Sequence, residues 1–126
     1  MRKFKDMIRN YCDLADFVIV YIKESHPVDE WAVNNNKFTT RQHQSLADRS
    51  KASDNLVTEM TQYPPPVTCP VVLDTMDDEA CRCYGGSPDR FYVILNDVVV
   101  YQSGMGPMFS PLGDVEIWFA AHMKTL

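Results

Sequence analysis

The residues that invite chemistry stand together just after the first apolar run of the chain: Tyr21, Glu24 and His26. A phenol, a carboxyl and an imidazole that close can hold, pass and donate a proton, and a positioned acid typically contributes about 10²–10⁴-fold to a reaction that needs one. Glu24 and His26 are two positions apart, so on a continuing strand they share a face. Each also has a plainer reading. Tyr21 can pack at the end of a strand with its hydroxyl satisfied locally, and a Glu or His after a strand ordinarily faces solvent. Strand ends in α/β folds are nevertheless the usual address of sites.

The thiols offer a second chemistry. Cys12, Cys69, Cys81 and Cys83 show neither C-x-x-C spacing nor the density of a secreted disulfide scaffold, which favours reduced thiols. None is expected at the start of the first helix, where the macrodipole favours a thiolate. Cys12 falls near the far end of the first helical segment, about 15 Å from its start at 1.5 Å per residue, and is expected in the core. Cys69, before a strand, is expected to pack as well. Cys81 and Cys83 are two apart in a short helix, where side chains diverge, so neither a local disulfide nor a two-ligand metal grip is expected. No bound metal or cofactor is anticipated.

These residues need a scaffold, and 126 residues with 45% hydrophobic content can bury one core, so a single domain over 1–126 is the expectation. The net charge of −5 argues against nucleic acid as partner, because the basic cluster Arg2, Lys3 and Lys5 is too small to form a phosphate-binding surface. No apolar run reaches the roughly 20 residues that span a bilayer, so the chain reads as soluble and cytosol-like.

Phe4, Met7, Ile8 and Tyr11 recur at helical spacing and predict an opening amphipathic helix. Phe17 to Ile22 is a continuous apolar run, expected as a strand buried on both faces of a parallel sheet. Thr39 and Gln42 have capping-box spacing, which predicts a helix from about Thr40 toward Met60 with His43 in its first turn. Pro70 to Leu73 predicts a second strand, followed by a short helix from Glu79 to Tyr84 that Gly85 and Gly86 stop. Phe91–Leu95 and Val98–Tyr101 flank Asn96-Asp97, a hairpin signal. Ser110 and Pro111 then open a terminal helix in which His122 is structural. The order α-β-α-β-α-β-β-α is that of an α/β, thioredoxin-like fold, a mixed sheet with flanking helices, whose first strand is missing from this chain.

The stretch from Ala15 to Ala32, with Tyr21-Ile22-Lys23-Glu24-Ser25-His26 and Asp29-Glu30-Trp31 inside it, resembles the signature of the iodothyronine deiodinases. His43-Gln44 with Asp48-Arg49, Cys69 to Met76, Tyr84-Gly85, Arg90 to Ile94, and Tyr101 with Gly104 to Pro107 follow in register, so the resemblance covers essentially the whole chain. It implies a peroxiredoxin-related thioredoxin fold and reductive removal of iodine from thyroid hormone. The nucleophile it implies is a selenocysteine at the start of the first helix, upstream of Met1, with a thiol reductant as co-substrate. It further implies a membrane anchor and a homodimer in the full-length protein. Carried over residue by residue, Tyr21, Glu24 and His26 resemble the proton-delivering network, and His43 the histidine that holds the hormone. Trp31 resembles a pocket wall and Arg90 an arginine at the substrate site, although pairing of Arg90 with a carboxylate such as Asp74 is an equal expectation. Glu30 stands where the family usually has glycine, and Met105 where an arginine can occur.

On this reading the chain alone is inactive, and a frame called as starting after an in-frame UGA explains its beginning. The isolated chain is expected to aggregate or swap through the sheet edges that the missing strand leaves open. The alternative is a non-catalytic, thioredoxin-like module for hormone binding or dimerisation.

Overall fold

The computed structural model describes residues 2–24, 41–64, 66–87, 89–104 and 112–122. Along the chain run α1 (Arg2–Tyr11), β1 (Ile19–Tyr21), α2 (Leu46–Thr61), β2 (Val71–Leu73), α3 (Glu79–Tyr84), β3 (Tyr92–Leu95), β4 (Val98–Gln102) and α4 (Leu112–His122). This is the anticipated order of helices and strands. No helix among the described residues is long and apolar enough to cross a membrane.

Among the described residues the strands form two separate pairs, where a single mixed sheet was expected. β1 and β2 run parallel with Ile19, Val20 and Tyr21 opposite Val71, Val72 and Leu73. β3 and β4 form an antiparallel hairpin with an irregularity between Val93 and Ile94. Asn96 and Asp97 both have positive φ, 52° and 65°, as a two-residue turn matched to strand twist requires.

The expectation that the first strand is buried on both faces is corrected. Its burial alternates: Val18 and Val20 are 58% and 43% exposed, whereas Phe17 and Ile19 pack inward. Val72 stands exposed opposite Val20 on the same face of this sheet.

The apolar stripe of α1 joins the two halves of the core. Met7 packs with Val115 and Phe119 of α4, along with Phe91, Val93 and Tyr101 of the hairpin region. Ile8, its neighbour, packs with Met60 of α2 and with Val67. Phe17 contributes to both clusters, with its ring 6.3 Å from that of Phe4 and 6.2 Å from that of Phe119.

Lys5 sits inside this framework, 2% exposed, and its ammonium donates to the carbonyls of Glu59 and Tyr63. A cation there neutralises the negative end of the α2 dipole and satisfies carbonyls that the helix leaves without partners. Cys12 is not the core thiol anticipated. It lies exposed in the turn after Tyr11, where the amides of Leu14 and Ala15 both donate to the Tyr11 carbonyl and carry the chain out of the helix. Cys69 is half-buried against the Ile8 cluster, and burial raises its thiol above the ordinary value.

The helix expected from about Thr40 starts later, at Leu46. Ser45 caps it by accepting from the Asp48 amide at 3.1 Å, while the Asp48 carboxylate accepts from the Gln44 amide at 3.2 Å. This reciprocal arrangement takes the role assigned to Thr39 and Gln42, and it leaves His43 ahead of the helix. Thr39, Ser110 and Pro111 lie outside the described residues.

Candidate active site

Parallel pairing carries β1 to its C-terminal end at Tyr21, and the Asp74 amide donates to the Tyr21 carbonyl at 2.9 Å to finish the ladder. The chain then runs on to Glu24. There the Gln42 side chain grips it twice, its Oε1 accepting from the Glu24 amide at 3.1 Å and its Nε2 donating to the Glu24 carbonyl at 3.0 Å. A side-chain amide pairing with both backbone groups of one residue imitates a strand neighbour and fixes that residue's direction.

Held this way, Glu24 accepts a hydrogen bond at Oε1 from the Tyr21 hydroxyl. The same oxygen lies 3.5 Å from His43 Nε2. The Tyr21 and His43 rings are 5.7 Å apart and tilted by 32°. Phenol, carboxyl and imidazole therefore converge on one oxygen at the end of a parallel strand. His43 is buried, and its Nε2 has no full hydrogen bond among the described residues, since 3.5 Å is the outer limit for one. Burial, together with the hydrogen bond to Glu24 and its negative charge, pushes the Tyr21 phenol well above its ordinary value, so it remains a donor at neutral pH. For His43, burial holds the imidazole below its usual range, with Glu24 acting against that and Arg49 reinforcing it.

Arg49 and Asp74 complete the surroundings, and neither was singled out from the sequence as part of a site. Arg49 is 2% exposed and reaches from α2 beneath the cluster. Its Nε donates to His43 Nδ1 at 2.9 Å. Nη1 donates to the carbonyls of Asp74 and Thr75 at 3.1 and 2.8 Å, and Nη2 pairs with the Asp78 carboxylate at 3.3 Å. Asp74, also buried, spends its carboxylate on the amides of Thr75, Ala80 and Cys81, at 2.8, 2.8 and 3.0 Å. Burial alone would raise the Asp74 carboxyl; those three amides and the Arg49 charge more than offset that and hold it below its usual value. The pattern Asp48-Arg49 in register with the resemblance was the one available sequence signal for Arg49. Nothing in the spacing of Gln42 or Asp74 distinguished them from cap and surface residues.

The structure thus brings together Tyr21, Glu24 and His43 of the six anticipated site residues. His26 and Trp31 lie outside the described residues. Arg90 is engaged elsewhere: Nε donates to the Ser103 carbonyl at 2.8 Å, Nη1 to the Tyr84 carbonyl at 3.2 Å, and the guanidinium lies 5.5 Å from the centre of the Tyr92 ring. The expected pairing of Arg90 with Asp74 is corrected, because the backbone amides of the α3 start already occupy that carboxylate. Cys81 is buried and Cys83 exposed, as two residues two apart on a helix diverge. His122 stacks on Trp118 at 4.5 Å, on the last helix.

The chain is 35% identical over its full length to thyroxine 5-deiodinase of Gallus gallus, of which it covers 46%. Over 83% of its length it is 37% identical to type I iodothyronine deiodinase of Xenopus laevis, covering 39% of that protein. It is 35% identical over 91% of its length to type II iodothyronine deiodinase of Aquarana catesbeiana, covering 43%. The chain spans less than half the length of these relatives. The profile of the family described as iodothyronine deiodinase matches residues 1–122, and the chain belongs to the iodothyronine deiodinase family.

Proposed function

We propose that this chain carries the proton-delivering part of a reductive deiodination, in which a thyroid hormone loses iodine and the ring carbon gains a proton. The observation that carries the reading is the convergence of the Tyr21 hydroxyl and His43 Nε2 on one Glu24 oxygen. Removing iodine from an aromatic ring moves it toward a chalcogen nucleophile and leaves electron density at carbon that a proton must meet. Tyr21 stays protonated and donates a hydrogen bond to Glu24, which the Gln42 clamp keeps in one direction. His26 joins the same delivery, as the signature that the chain resembles implies. His43 offers a buried donor at Nε2 with an incomplete partner, suited to an oxygen of the hormone.

The nucleophile of this reading is a selenocysteine upstream of Met1, and a thiol donor reduces it after the iodine has been taken. The fold of the whole domain is thioredoxin-like. The upstream strand adds to the β1–β2 pair, and the complete protein is a membrane-anchored homodimer. Trp31 and Arg90 are assigned to the hormone pocket by the same resemblance.

The test is deiodination of thyroxine, with a dithiol as reductant, by a protein carrying this chain behind its selenocysteine segment. Glu24→Gln keeps the shape of the acceptor and removes its charge, and a fall in kcat/KM of about 10²-fold or more is expected. A change smaller than about threefold would take proton delivery away from this cluster.

A further inference from the structure

We propose that Arg49 is a positioning residue that locks His43 in the tautomer carrying its proton on Nε2, so that the imidazole always presents a donor, never an acceptor, to Glu24 and to whatever binds beside it. The inference rests on the reading of Tyr21, Glu24 and His43 as the working cluster, and adds to it the residue that decides which way the histidine hydrogen-bonds.

The argument is one of proton inventory. A guanidinium has five N–H donors, no acceptor, and keeps its proton at any pH the fold survives. Arg49 Nε lies 2.9 Å from His43 Nδ1, so the hydrogen between them belongs to arginine and Nδ1 must be the acceptor. A neutral imidazole with Nδ1 accepting carries its proton on Nε2. Taking up a second proton at Nδ1 would set two donors against each other at hydrogen-bond distance in a site where His43 is buried.

Arg49 cannot easily turn away. Its Nη1 is tied to the Asp74 and Thr75 carbonyls and its Nη2 to Asp78 across to the start of α3. The other groups that face the imidazole are Glu24 and the Tyr21 ring from the β1 end, and the Asp48 charge from the first turn of α2. The two carboxylates favour protonation, and burial with Arg49 opposes it, which is consistent with an imidazole kept neutral. The chemical consequence is a fixed polarity. Nε2–H supplies a hydrogen bond to the Glu24 oxygen or to an oxygen of a ligand, and His43 does not compete with Glu24 as a base.

The test is a long-range proton–nitrogen NMR correlation on the full chain labelled at its histidine rings, followed from about pH 4 to about pH 9 around the ordinary imidazole value of about 6.5. With three histidines in the sequence, His43 is assigned by the signal lost in His43→Gln. The expected spectrum shows Nε2–H over Nδ1–H by about tenfold or more, as a charge-assisted hydrogen bond implies, with titration below the ordinary value. In Arg49→Gln, whose amide can still donate to Nδ1, the tautomer persists while titration moves up. In Arg49→Met both are lost. A wild-type His43 that is mainly Nδ1–H, or charged at neutral pH, overturns the proposal whether or not either variant folds. No substrate enters the measurement, so its outcome is independent of the deiodination test with Glu24→Gln.

Discussion

Replacing Asp74 tests the framework on which the cluster stands. This carboxylate is 3% exposed and accepts three backbone amides at the start of α3. In Asp74→Asn the amide oxygen can keep the Thr75 and Ala80 bonds, both made to Oδ1, but the nitrogen replaces Oδ2 and meets the Cys81 N–H donor to donor. Hydrogen bonds to charged groups contribute about 1.5–3 kcal/mol each, against about 0.5–1.5 for neutral ones. One bond lost outright and two weakened come to about 4 kcal/mol, reduced to about 3 because a buried charge no longer has to be desolvated. Asp74→Ala strands all three amides and, by the same reckoning, is expected to cost about 5 kcal/mol or more.

Urea unfolding read by far-UV circular dichroism measures both, with a melting-temperature loss of about 4 °C per kcal/mol for a domain of this size. The pH dependence gives the sharper check. The folded-state value of Asp74 is depressed, so its contribution is fully present above the ordinary carboxyl value of 3.8 and is lost as pH falls below that through the folded value. The wild-type advantage over Asp74→Asn is therefore flat near neutrality and shrinks in acid. A loss under about 1 kcal/mol for Asp74→Ala, or a wild-type advantage that does not change with acid, would refute the argument. Because Arg49 holds the Asp74 and Thr75 carbonyls, the same substitution should also loosen the arginine beneath His43.

Lys5→Met removes the buried ammonium from the Glu59 and Tyr63 carbonyls at the end of α2; the variant should lose about 2 kcal/mol in urea unfolding, and a neutral result would mean that water replaces the lysine. Asp97→Gly relieves an L-residue at φ 65° in the hairpin turn and is expected to stabilise by about 0.5–1 kcal/mol; a loss in the same assay would show that the aspartate side chain contributes to the turn. Lowering pH below about 6.5 should penalise the fold through His43, because its depressed folded-state value leaves the unfolded chain binding more protons there. His43→Gln should remove that component from the pH–stability curve, and an unchanged curve would assign it to another group.

Local periodicity and punctuation were enough to read the elements. The Phe4, Met7, Ile8, Tyr11 stripe, the Gly85 stop and the Asn96-Asp97 turn each act over a few residues, and α1, α3 and the hairpin appear where those signals put them. That Tyr21 and Glu24 lie close together follows from their spacing at the strand end, but the direction of Glu24 is set by Gln42 from eighteen positions away. Where α2 begins was not legible, since the choice between Thr39 and Ser45 as cap depended on Gln42 being drawn to the Glu24 backbone. Exposure of Val18 and Val20 likewise follows from what packs on the sheet and not from their apolar run. The hydrogen-bond partners described for Arg90, Lys5 and Asp74, and two of those of Arg49, are backbone groups brought near only by packing, and a polar residue carries no mark in sequence of the carbonyl or amide it will meet. Burial then gives those meetings their strength, because an unpartnered polar group inside the protein costs far more than one in water.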